Sequence, residues 1–222
     1  MTKYIVVGIL FCQSAMLCRA DEIKDAINAS IKAIEEVSKT TDAKRKAEIF
    51  MEVKTSLTKT IDNIKSSKKI YADEELAPLY QNRGSCSYNL RDYEQALEDY
   101  KTASKLNPNK ITPWLRQSLI KSSAPIDKLR NCKEALEAAE SAFKAIKLYA
   151  AKEPLIPLDK FEHSMNVRDY NDECSIALSA AQAELGNFKE AILSIKDGPE
   201  KKIKEYLDLY RDGKAYRLPA KP

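Results

Sequence analysis

The sequence predicts an all-α chain built from antiparallel helical hairpins. Three observations carry this. There are 5 Gly in 222 residues, and the 9 Pro fall mostly between periodic stretches. The apolar residues recur at steps of three and four, which puts them on one helix face. Hydrophobic residues make up 44% and charged residues 32%, which suits a globular chain with a real core rather than a disordered one. At this length one domain is the default.

Residues 1–20 have the layout of a secretory signal peptide. Lys3 gives a positive start, Tyr4 to Leu17 is mostly apolar and uncharged, and Cys18-Arg19-Ala20 precedes Asp21-Glu22. The apolar run is about 14 residues, short for a bilayer span. A short anchor or a buried first helix is the alternative reading of the same run. Export places the chain outside the cell, in a periplasm or in a secretory-pathway lumen, with no membrane contact after cleavage.

Residues 21–70 read as an N-terminal hairpin. Ile23, Ile27, Ile31, Ile34 and Val37 share one face of its first helix. Thr40-Thr41-Asp42 can cap the second, where Phe50, Val53, Leu57, Ile61 and Ile64 line one side as far as Lys65. Residues 71–150 hold helices from Asp73 to Leu90 and from Tyr93 to Leu106, stopped by Asn107-Pro108-Asn109. Helices from Ile111 to Lys121 and from Asn131 to Ala151 follow, around a longer turn that contains Pro125. Residues 151–168 read as an insertion loop, with Pro154, Pro157 and the only histidine, His163. Residues 169–210 give a hairpin, Tyr170 to Leu185 and Phe188 to Lys196, around Gly186-Asn187. After Asp197-Gly198-Pro199 comes a last helix with Ile203, Tyr206, Leu207 and Tyr210 on one face. Residues 211–222 are a tail expected to fray.

Composition and motifs narrow the chemistry. The 37 basic and 33 acidic residues are interspersed, which gives no concentrated basic face for nucleic acid. Removal of residues 1–20 leaves Cys86, Cys132 and Cys174, an odd number that allows at most one disulfide within a chain. Their pairing stays open, and buried thiols acting as small apolar residues are the preferred reading. There is no CxxC or Cys/His metal spacing and no phosphate-binding glycine loop, so no metal or cofactor is expected. His163 lies among Asp159, Glu162, Asp169 and Asp172 but has no second histidine to work with. A lone histidine in a charged loop reads as solvated, so no catalytic residue and no enzyme is expected. Lys65 to Lys69 reads as a solvated helix end. Asn28-Ala29-Ser30 would be a glycosylation sequon only in a eukaryotic secretory pathway.

Tyr80, Gly84, Ala96, Tyr100, Ala103 and Pro108 fall at fixed spacings within Ala77 to Lys110. With Asn82-Arg83-Gly84 and the run from Asp92 to Tyr100, they resemble the 34-residue tetratricopeptide repeat. Small Gly84 and Ala96 allow a close helix crossing, and Ala103 lets the next hairpin approach. Ser87 departs from the pattern, which has a large aromatic there. Trp114 with Ala135, Ala139 and Ala142, and then Leu178, Gly186, Phe188 and Ala191, resemble weaker copies.

The resemblance implies a superhelical solenoid of antiparallel hairpins with a C-terminal capping helix at Glu200 to Tyr210. It also implies a concave groove lined by the first helix of each repeat. Its positions here are Gln81, Asn82, Ser85, Tyr88 and Asn89, then Thr112, Leu115, Arg116 and Leu119. The implied function is a non-enzymatic adaptor that binds a protein or peptide in that groove. The alternative is a chaperone-like factor holding unfolded clients on an apolar stretch near Ile176, Ala180 and Ala183. Self-association through the weaker ends is a further interaction open to it. The carboxylate clamp of some family members is matched by Asn82 and Arg116 but not by Thr112, where a lysine would be needed.

Overall fold

The computed structural model describes residues 22–67, 69–152, 167–195 and 200–220, and every α or 3-10 element among them is helical with no strand. A first helix, α1 (22–39), is followed by α2 (Ala43–Ser66), α3 (Asp73–Asn89), α4 (Tyr93–Leu106) and α5 (Ile111–Ser123). Then come α6 (Cys132–Lys152), α7 (Val167–Glu184), α8 (Phe188–Ile195) and α9 (Glu200–Arg211). A short 3-10 turn, Asp127–Leu129, lies between α5 and α6. The expected signal peptide, most of the insertion loop and His163 lie outside the described residues.

Each helix packs chiefly on its neighbours in the chain, and α5 also packs on α7. Hairpins stacked in this order make an all-α, tetratricopeptide-like helical solenoid. The expected boundaries at Tyr93 and Leu106 are met. Helix α5 runs on to Ser123, and α7 is already helical at Val167. As expected, Asp42 caps α2, its carboxylate accepting from the Lys44 N–H at 2.8 Å.

The core is divided along the stack. Ile23, Leu57, Ile61 and Leu79 join α1, α2 and α3. Tyr93, Ala96, Leu97, Tyr100, Ile120 and Ala124 join α4 to α5. Ile111, Leu115, Leu119, Ala142, Cys174, Ala177 and Ile195 belong to a third cluster that runs from α5 to α8 and continues into α9. Ala135, Ala139 and Ala142 on α6 are all buried.

The apolar stripe on α1 is only partly covered. Ile31 and Ile34 are 48% and 44% exposed. Helix α2 and α3 cover the side that carries Ile23, and no described helix precedes α1 to cover the rest. On α2, Ile49 is buried while Phe50 is half-buried.

The ends of α3, α7 and α9 share one geometry. At each, a residue with positive φ follows the helix: Arg91 (59°), Gly186 (81°) and Gly213 (69°). The next N–H reaches back into the last turn, as with Asp92 to the Ser87 carbonyl, Asn187 to Gln182 and Lys214 to Leu209. These are left-handed helix stops that satisfy end carbonyls. Gly186 and Gly213 adopt that backbone freely, whereas Arg91 holds it with a side chain attached.

Through its described residues, as far as Ala220, the tail does not fray. After Gly213 the chain extends through Lys214–Ala220 and packs back onto the helices. The Leu218 N–H donates to the Ser123 carbonyl at 2.7 Å. The Tyr93 hydroxyl donates to the Pro219 carbonyl at 2.8 Å, and Arg91 Nη1 donates to the Ala220 carbonyl at 2.9 Å. Leu218 is 7% exposed. Solvent was the expected environment, but Tyr216 and Leu218 are two apart in an extended segment, which aims both at the same surface.

Candidate functional site

The α3–α4 hairpin sets the geometry. A Cβ at Gly84 would meet Asp99 Cβ and Tyr100 Cε1 at 3.1 Å, so the absent side chain is what lets the two helices cross this closely. Arg83 binds Asp99 through two parallel bonds, Nη2 to Oδ1 at 2.7 Å and Nε to Oδ2 at 3.0 Å. Asp99 is only 1% exposed. Burial pushes its carboxyl above the usual range, and Arg83 pulls it back. A bidentate, nearly dry pair of this kind fixes one helix against the other. Tyr100, fully buried, donates from its hydroxyl to Ser85 Oγ at 3.2 Å. Ser87, which replaces a large aromatic, is wholly buried, and its hydroxyl finds no partner.

The first helices of successive hairpins bring part of the expected groove row together. Asn82 donates to Ser30 Oγ of α1 at 2.7 Å. Asn89 Nδ2 donates to the Ser85 carbonyl and Ser85 Oγ to the Gln81 carbonyl, both within α3. The Arg116 guanidinium of α5 lies over the Tyr88 ring of α3, 5.1 Å from its centroid. Arg116 Nη2 is also 3.6 Å from Glu173 Oε2 of α7. Tyr88 meets the edge of Tyr93, with centroids 5.6 Å apart. Burial opposes the Arg116 charge, but Glu173 with Tyr100 and Tyr88 outweighs it and raises the pKa. Burial likewise raises the Tyr88 phenol, partly offset by Arg116. Arg116 is thus a fixed cation held between three helices. Thr112 and Gln81 are half-buried beside this row.

Other expected groove residues are elsewhere. Leu115 is 1% exposed and Leu119 is buried too, both in the cluster with Cys174 and Ala177. They form core rather than groove wall because α5 is covered on nearly every side, by α4, α6 and α7. The apolar stretch at Ile176, Ala180 and Ala183 is also buried, so the surface on which the chaperone alternative was placed is closed. Trp114 is half-buried against the core and donates from its ring N–H to the Pro108 carbonyl at 2.8 Å.

Sequence reasoning missed the partners supplied from a distance. Glu173 had no signal beyond its charge. Glu184 accepts from Arg130 Nε at 2.9 Å and forms an ion pair with Arg217 Nη2 at 2.7 Å, joining the α5–α6 turn to the tail. Tyr216 stacks obliquely on Tyr206, with centroids 4.4 Å apart. The apolar spacing of Tyr216 and Leu218 was the one available clue to the tail.

Among the described residues, no cluster of His, Cys, Asp and Glu could hold a metal, and no helix is long and apolar enough to cross a membrane. Cys86, Cys132 and Cys174 are all free thiols. Burial pushes the Cys86 thiol up to about 11 and the Cys174 thiol up to about 12, which leaves both in the unreactive protonated form.

The family model of the tetratricopeptide repeat matches residues 77–110, the hairpin described above. No curated protein and no solved structure matches the chain. Repeats of this kind are scaffolds for protein–protein interaction and are generally not enzymes.

Proposed function

We propose that this protein, with its tetratricopeptide hairpin at residues 77–110, is an exported, non-enzymatic adaptor that binds a protein or peptide partner along the first helices of its hairpins. The observation that carries the reading is the row formed by Asn82, Tyr88, Arg116 and Glu173, contributed by the first helices α3, α5 and α7 of consecutive hairpins. An aromatic face capped by a fixed guanidinium is the kind of anchor on which interface energy concentrates. Export rests on the signal-like layout of residues 1–20.

Affinity capture with the chain from Asp21 onward, compared with Tyr88→Ala/Arg116→Ala, tests this. Loss of two anchors predicts capture weakened roughly tenfold or more. Thermal melts of both proteins separate lost binding from lost fold. Equal capture by two folded proteins defeats the groove reading.

A further inference from the structure

The seat of the C-terminal tail has the features of a peptide site. Gly213 closes α9 and sends the chain back across the ends of α7 and α5 and the α3–α4 turn. Lys214–Ala220 are not helical, so their backbone groups must find partners elsewhere. The body supplies them. Ser123 ends α5 and offers one of the carbonyls that a helix cannot pair within itself, and the Leu218 N–H takes it at 2.7 Å. Tyr93, which opens α4, and Arg91, from the α3–α4 turn, donate to the carbonyls of Pro219 and Ala220.

The side chains are read in turn. Tyr216 lies on Tyr206. Arg217 reaches Glu184, a carboxylate already held in place by Arg130. Leu218 is buried in the apolar cluster that contains Tyr93, Ala96, Leu97, Tyr100 and Ile120. Main-chain hydrogen bonds combined with pockets for successive side chains are the general means of holding an extended peptide.

We infer that this seat is a binding site for an extended segment with the order aromatic, basic, leucine, proline, and that the tail is its intramolecular occupant, displaced by a partner segment of the same chemistry. The inference rests on reading the chain as an interaction module. The groups that form the seat belong to α4, α5, α7 and α9 and to the α3–α4 turn, and are fixed by that framework. Among its described residues the tail has no backbone–backbone hydrogen bond within itself, so its docking contacts must offset most of the entropy of ordering it. Its covalent link keeps its effective concentration on the order of mM. An outside segment therefore binds weakly until the tail is loosened.

The test uses the full chain and a labelled peptide of residues 213–222, followed by fluorescence anisotropy. In Leu218→Asp the tail is released, and peptide affinity is expected to rise about 100-fold over the unsubstituted protein, the ratio of a mM effective concentration to a ~10 μM site. The same peptide carrying Asp in place of its leucine should not bind. Should Leu218→Asp fail to fold, Arg217→Ala loosens the tail from the surface, with a rise of about tenfold expected. A folded released variant that binds the peptide no better than the unsubstituted protein overturns the inference. Failure of the partner reading is scored separately, by capture with Arg116→Ala alone, because Arg116 is not part of the leucine cluster or the Glu184 contact whereas Tyr88 packs against that cluster.

Discussion

In the α3–α4 hairpin, the pair that locks the helices joins residues 16 apart in the chain, Arg83 and Asp99. In the tail, Tyr93 meets Pro219 across 126 residues and Arg91 meets Ala220 across 129. The hairpin is made by its own sequence: Gly84 clears the crossing and Tyr100 fills it. The tail is extended, and its described contacts to the repeat are borrowed from residues far away in the chain. The difference teaches that a repeat can carry its own structural code, while an extended strap is coded half in itself and half in its seat. Loss of a hairpin contact should therefore be global, and loss of a strap contact local.

The largest effect is expected at Asp99→Ala. It leaves the Arg83 guanidinium, itself largely buried, without its carboxylate. Stranding one member of a buried ion pair costs about 3–5 kcal/mol. Denaturant unfolding should show the midpoint falling for the whole molecule, with Asp99→Asn less damaging because it keeps a hydrogen-bond acceptor. A loss confined to the hairpin would break the contrast.

An intermediate effect is expected in alkali. Burial, with Tyr88 and Tyr216 nearby, pushes the Tyr93 phenol up to about 12. An unfolded tyrosine ionises near about 10. Above that value the unfolded chain releases the proton while the folded one keeps it, so stability is full below pH about 10 and declines as pH rises towards about 12. Tyrosinate absorbance should show a late-titrating phenol that is missing in Tyr93→Phe. Releasing the tail by Leu218→Asp should move that phenol earlier, since the tail covers it.

The smallest and most discriminating effect is expected at Arg91→Gly. Arg91 holds φ at 59°, which costs a side-chain-bearing residue about 1–2 kcal/mol relative to glycine. The substitution should raise hairpin stability by about 1 kcal/mol. It also removes the bond to the Ala220 carbonyl. Hydrogen exchange should therefore quicken at the Leu218 amide while slowing in α3 and α4. Parallel changes in both regions would show that strap and hairpin are one unit.

The legible parts of the site were those with local causes. Tyr88 and Arg116 stood at positions that the resemblance assigns to a groove, and the two side chains contact each other. Leu115 and Leu119 stood at such positions too, but the packing of α7 on α5 took them into the core. Helical spacing tells which residues share a face; it does not tell which neighbour will cover that face. Ile31 and Ile34 make the opposite case, an apolar stripe left partly open because no described helix lies over it.

By itself the sequence determined the helices, their turns and the tetratricopeptide hairpin at residues 77–110, because capping, glycine clearance and three-to-four spacing act over a few residues. Only the tertiary structure decided that α5 is enclosed, that Arg116 is pinned between Tyr88 and Glu173, and that Tyr216, Arg217 and Leu218 are seated rather than free. Those outcomes depend on surfaces assembled from distant segments, and no local pattern in one segment specifies the shape of the surface it will meet.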